Sequence, residues 1–197
     1  MRPLATLALI PSLAPSLAPS LAPSLALSLA LSLALTSAPP AHANGHWPGP
    51  GDVVAPVKGG LSHVGADGTA RDPIAFGTGF QDTMHILVAI FGHDVTIGFP
   101  QECGAGPLVS ARIPGQIDLM FQDDRLAGWM LIDDTALRMP DGIGVGSPLS
   151  ALEATGPVET FETGLGTEFA AGDLYGLLTA DGTAIEGIWT GTTCIFR

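Results

Sequence analysis

The sequence predicts an α+β fold built from two tandem α-β units. Each unit is a helix followed by antiparallel strands, with the helices packed on one face of the sheet. Three observations lead there. An amphipathic stretch at Ile74–Gly92 has helical periodicity and glycines at both ends. Short alternating strands separated by turn signals follow it, and both features recur in shorter form from Ile143 onward.

The chain opens with Met1-Arg2-Pro3, then Pro-Ser-Leu-Ala repeats from Pro11 to Ala26 and Leu-Ser-Leu-Ala to Ala34. Prolines 11, 15, 19 and 23 break any helix every four residues. The unbroken apolar run Leu25–Leu35 is far short of the ~20 residues that span a bilayer, and it has the size of a signal-peptide core. Ala41-His42-Ala43 supplies an A-x-A cleavage site. Residues 1–43 are therefore expected to be a signal peptide, and the mature chain to be exported to the periplasm or the medium. No lipobox cysteine lies near residue 40, and no membrane insertion of the mature form is expected.

Residues 44–73 read as a flexible Gly/Pro-rich leader, with Val53, Val54 and Val57 too sparse to declare a strand. Residues 74–197 are expected to form one domain of two pseudo-repeats, 74–132 and 142–197. On a helical wheel Phe80, Met84, Leu87 and Phe91 share one sector, widened by Ile86, Val88 and Ile90. Thr78 can cap this helix and Gly92 can end it. Thr96–Cys103 and Leu108–Ile113 follow as short strands. Gln116–Gln122 alternates with Ile117, Leu119 and Phe121 on one face, and Asp123-Asp124 turns it into Arg125–Ile132.

The pattern restarts at Ile143-Gly144-Val145-Gly146-Ser147, which matches Phe76-Gly77-Thr78-Gly79-Phe80 in glycine placement. Ser147 is placed to cap a two-turn helix with Pro148 at its first position. Strands are expected at Val158–Glu162, Glu168–Ala171, Leu174–Thr179, Ala184–Thr190 and Cys194–Phe196. Gly187-Ile188-Trp189 falls where Gly128-Trp129 fell in the first half.

Composition excludes some partners. Past Ala43 there are nineteen acidic residues against six basic ones, a formal net charge of −13. Nucleic acids and anionic membrane surfaces both call for cationic patches, so neither is expected as a partner. The two cysteines, Cys103 and Cys194, are most simply a disulfide in an oxidising compartment. Two buried free thiols or a metal pair are the alternatives.

Glu102-Cys-Gly-Ala-Gly-Pro107, Phe121-Gln-Asp-Asp-Arg-Leu-Ala-Gly-Trp129, Gly142-Ile-Gly-Val-Gly146 and Gly191-Thr-Thr-Cys-Ile-Phe-Arg197 together resemble small exported bacterial proteins of unassigned function. More loosely, a helix ending in glycine before a hairpin with Phe and Trp is similar to the units of SmpA/OmlA envelope proteins. It is similar too to β-lactamase inhibitor proteins, which place two α-β units in tandem. The resemblance implies a protein-binding or envelope-scaffold role and carries no catalytic residue with it.

The motifs assemble no catalytic set. Gly142-x-Gly144-x-Gly146 lacks the dinucleotide spacing and a Walker lysine. Ser147 precedes proline, so it is no nucleophile elbow, and Ser62-His63 are neighbours in sequence rather than partners in space. His85 and His93 read as surface residues. Asp123-Asp124 and Asp133-Asp134 lack a calcium-loop pattern, and nothing in sequence sets the separation of Glu159 and Glu162.

Two features stay sharper. Cleavage after Ala43 would expose Asn44-Gly45-His46, whose α-amine, two amide nitrogens and imidazole make a square-planar site for Cu(II) or Ni(II). Trp129 and Trp189 either pack between sheet and helices or stand on an open sheet face as anchors for a protein partner. The expected function is an exported non-catalytic binding or envelope-associated module with no cofactor. A small secreted hydrolase assembled only in three dimensions, and a metal-handling protein using residues 44–46, are the alternatives.

Overall fold

The computed structural model describes residues 48–132 and 135–195. Among them the protein is mostly β, with eleven antiparallel strands in two sheets and two short helices.

The first sheet corrects the expected leader. β1 (Val53–Val57) and β2 (Gly60–Val64) form a hairpin across Lys58-Gly59, and β3 (Ile74–Ala75) pairs with β2. Alternation within it is short but effective. Val54, Leu61 and Ile74 enter the main core, while Val53 is 60% exposed. Three valines on five positions, the last of them preceded by proline, give too weak a period to be seen in sequence.

Helix α1 spans Phe80–Phe91, where the periodicity put it. Its most buried residues are Thr83 and Leu87, with Phe80, Met84, Ile86, Ile90 and Phe91 partly buried against the same core. The cap differs from expectation. The N-cap is Gly79 with no side-chain bond, so Thr78 does not cap, and Gly92 ends the helix at φ +82°. In α2 (Leu149–Glu153) the N-cap is Pro148. Ser147 instead accepts the Gly144 N–H at 3.1 Å, tightening the loop before the helix. α2 is a single turn and a half rather than two turns.

The second sheet has eight strands in the order β4-β5-β6-β7-β11-β10-β9-β8. They are β4 (Thr96–Gly98), β5 (Val109–Ile113), β6 (Ile117–Gln122), β7 (Arg125–Leu131), β8 (Glu159–Thr163), β9 (Gly166–Ala171), β10 (Leu174–Leu178) and β11 (Ile185–Gly191). Each consecutive pair within 96–131 and within 159–191 is a hairpin neighbour, and β7 pairs with β11 to join the two runs. The strand expected at Cys194–Phe196 does not form over 194–195, and 196–197 lie outside the described residues.

Both faces of this sheet carry a core. One face, with Leu119, Phe121, Trp129, Leu131, Phe169 and Ile188, meets α1, α2 and the small sheet in the main core. Phe80 packs edge-on against Phe121 at 4.8 Å between centroids, a favourable aromatic arrangement. On the back, Leu108, Met120, Met130 and Trp189 form a smaller cluster with Cys103, Ile132, Leu177, Cys194 and Ile195. Loop 99–108 and the tail after β11 thus pack on a face that the strand alternation alone would leave to water.

Candidate functional site

The two tryptophans do not hold matching places. Residues paired across antiparallel strands share a face, and β11 pairs with β7 as Trp189 with Met130 and Thr190 with Trp129. Trp129 is fully buried in the main core, where its indole N–H donates to the Val57 carbonyl at 2.9 Å and ties the small sheet to the large one. Trp189 is buried in the back cluster. One extra residue separates glycine from tryptophan in Gly187-Ile188-Trp189, and with a period of two that flips the ring to the other side. Neither indole is an exposed anchor.

Cys103, in the connection after β4, and Cys194, in the tail after β11, are brought together. Both are free thiols here, half-buried side by side in the back cluster rather than joined as the expected disulfide. Burial first, and the neighbouring Cys103 second, push the Cys194 thiol up to about 11. Asn44, Gly45 and His46, the Cu(II)/Ni(II) candidate, lie outside the described residues, as do residues 1–43 and Asp133-Asp134. Among the described residues no cluster of three His, Cys, Asp or Glu side chains is placed to hold a metal. No described helix is long and apolar enough to cross a membrane.

His63 meets Asp52 rather than Ser62. Its Nε2 lies 3.0 Å from the Asp52 carboxylate, and both residues are buried. Asp52 also accepts the Ala66 N–H at 2.8 Å, and that bond, then the one to His63, lowers its pKa below the ordinary carboxylate value. Ser62 instead donates across the hairpin to the Ala55 carbonyl. Asp52 therefore fastens the stretch before β1 to β2 through His63 and to the loop after β2 through Ala66, and the neighbouring Ser62 hydroxyl is engaged elsewhere.

A surface hollow of about 420 Å³ opens where α1 ends against β4 and β5, lined by Phe91, His93, Asp94, Thr96, Ile113 and Gln116 among others. Its volume falls in the range of ligand sites. His93, Asp94 and Thr96 are all exposed, so water screens any charge they would place there. Glu159 and Glu162 are three apart on β8, hence on opposite faces, and Glu162 accepts the Thr167 hydroxyl at 2.7 Å. They do not flank one substrate bond.

The far end of the large sheet is different in kind. Every residue of β8 from Glu159 to Glu162 is exposed, and among the described residues no strand pairs with its outer edge. Phe161 is 40% exposed, and the β8–β9–β10 register puts it on the same face as Tyr175, 38% exposed. Between Arg138 and Arg197 the sequence has eight carboxylates and no lysine or arginine. This end of the sheet is rich in carboxylates, with Lys58 held against the Ala171 carbonyl at the β9–β10 turn. Sequence reading missed it because an exposed edge strand and a half-buried inner strand have the same composition. The charge asymmetry was the signal available.

No family model matches the chain, and neither a curated protein nor a solved structure matches it.

Proposed function

We propose that this is an exported, non-catalytic protein-binding or envelope-associated module, built as two tandem α-β units of which the second presents the binding surface. The observation that carries the reading is the exposed, carboxylate-rich end of the large sheet. A surface with one sign of charge steers an oppositely charged partner and repels copies of itself. Exposed aromatic rings beside carboxylates offer the apolar contact that charge alone lacks.

The tandem reading is supported by one repeated set of hydrogen bonds. Gly77 donates to the Leu126 carbonyl, Leu126 to that of Thr78, and Phe80 to that of Asp124. In the second half Gly146 donates to Ile185, Ile185 to Ser147, and Leu149 to Thr183. Each set stitches the stretch before a helix to the last strand of its own meander. Gly77 and Gly146 both have positive φ, which suits the tight entry. Their equivalence moves the glycine alignment two residues from the one read in sequence. The order β4-β5-β6-β7-β11-β10-β9-β8 mirrors itself about its centre, as two copies of one unit meeting at their last strands would.

Export follows, on this reading, from the Leu25–Leu35 core and the Ala41-His42-Ala43 site, and oxidation then joins Cys103 to Cys194 across the back cluster. The test is affinity capture from envelope and secreted fractions with the oxidised protein as bait. Recovery of a protein partner that salt releases is expected. Recovery of none, together with turnover of a test ester or glycan, would reverse the reading in favour of a secreted hydrolase.

A further inference from the structure

We infer that the free edge of β8 is a docking strand for a cationic, extended protein segment, which adds to the sheet as a ninth strand. The inference rests on the binding reading above and names the surface and the chemistry of its partner.

An edge strand presents outward-facing N–H and C=O groups that template another strand, and proteins blunt such edges with proline, charged side chains, bulges or brevity. The other described edges of the molecule are blunted in these ways. β4 has three residues and runs into Phe99-Pro100, and β1 carries Pro56 within the strand. β8 is guarded by charge, through Glu159 and Glu162, and by Pro157 two residues before it, so only a partner of opposite charge finds its edge open. The strand itself has five residues, all paired to β9 in an unbroken register, with no proline, no lysine and no bulge. Five residues offer enough ladder for a peptide to add by main-chain hydrogen bonds.

Charge decides the occupant. Glu159 and Glu162 project from opposite faces of β8, so an added strand meets a carboxylate on each side. A second copy of this chain would set glutamate against glutamate, and like charges directly opposite are unfavourable. A segment with lysine or arginine gains on both faces. Phe161 and Tyr175 stand on one of those faces, where a cationic side chain reaching inward from the added strand finds an aromatic ring. Glu186 and Asp173 add exposed carboxylates on β11 and the β9–β10 turn, where Lys58 stands as a counter-charge. The partner is therefore a basic segment without fixed structure of its own, able to lie extended along the edge.

The probe is a fluorescent decapeptide of alternating lysine and valine, with an alternating glutamate–valine peptide as its counterpart. It is titrated against the full protein by anisotropy, while amide exchange is followed along the chain. The lysine peptide should bind at least tenfold more tightly than the glutamate peptide, weaken as salt rises, and slow exchange at residues 159–163. The double variant Glu159→Lys/Glu162→Lys changes only exposed side chains, and it should reverse the preference between the peptides. An unchanged preference in that variant, or no binding of the lysine peptide, overturns the inference. Protection appearing elsewhere with 159–163 unaffected also overturns it. Those failures leave the broader binding reading standing if the protein still captures a folded partner, so the two are separable.

Discussion

Gly176→Ala sets the structure against intuition. In a strand interior alanine is ordinarily better than glycine by about 0.5–1 kcal/mol, so the substitution looks mildly stabilising. Gly176 has no left-handed backbone to protect. What it has is a ring lying on it. Phe169 is fully buried and pairs with Gly176 across β9 and β10. A methyl group built on Gly176 would fall well inside van der Waals contact of that ring and of the Gly187 carbonyl oxygen. The ring is held by the main core and the carbonyl by the β10–β11 ladder, so neither moves freely. Overpacking of this kind costs about 1–3 kcal/mol, and a displaced phenylalanine forfeits part of the ~1.5–3 kcal/mol its burial supplies. Net destabilisation should be about 2–3 kcal/mol, which at this chain length lowers the melting temperature by roughly 5–10 °C. Urea unfolding followed by tryptophan emission reads it, since Trp129 and Trp189 are both buried. Phe169→Leu, which removes the ring, should be less damaging in the Gly176→Ala background than in the parent. A midpoint that is unchanged or raised at constant m-value would refute the packing argument.

Other perturbations read other parts of the fold. Cys103→Ser should destabilise the oxidised protein by roughly 4–5 kcal/mol, from opening a loop of about 90 residues, and reduction of the parent should reproduce it. A parent indifferent to reductant would contradict the staple. In the reduced, folded protein Cys194 should be alkylated slowly at neutral pH and faster as pH climbs toward its pKa of about 11. A rate that levels off near the pKa of an ordinary thiol would place it in water. Asp52 has a folded-state pKa below its unfolded value, so its stabilising contribution is complete above the unfolded value and is lost as pH falls through the folded one. Asp52→Asn should lower the urea midpoint at neutral pH and flatten its fall in acid; an unchanged acid slope would assign the loss to other carboxylates.

Strands with strict alternation could be read directly. Ile117, Leu119 and Phe121 all face the main core, and the Asp123-Asp124 turn joins β6 to β7, with both aspartates at the positive φ such turns require. The stripe of α1 was equally visible, because a period of 3.6 over twelve residues leaves little ambiguity. The small first sheet was hidden by brevity. β3 is two residues long, and its place depends on Gly60–Leu61 rather than on any pattern of its own. The back cluster was hidden for another reason. Met120, Met130 and Trp189 occupy the alternate positions that a one-sided sheet gives to solvent, and only the later arrival of loop 99–108 and the tail buries them. Candidate site residues divide the same way. The cysteine pair was suggested by count and compartment. The matching of Trp129 with Trp189 failed because a single inserted residue reverses a strand's faces. The exposure of β8 was set by strand order, which composition does not encode.

β7 and β11 meet at the middle of one sheet, and that junction places β8 at its far, open edge. Backbone Overhauser contacts in solution test it most directly. Cross-strand contacts pairing Trp129 with Thr190 and Met130 with Trp189 are expected, and none between β8 and any strand but β9. Two four-stranded sheets without contacts between β7 and β11, or a second strand found beside β8, would contradict it.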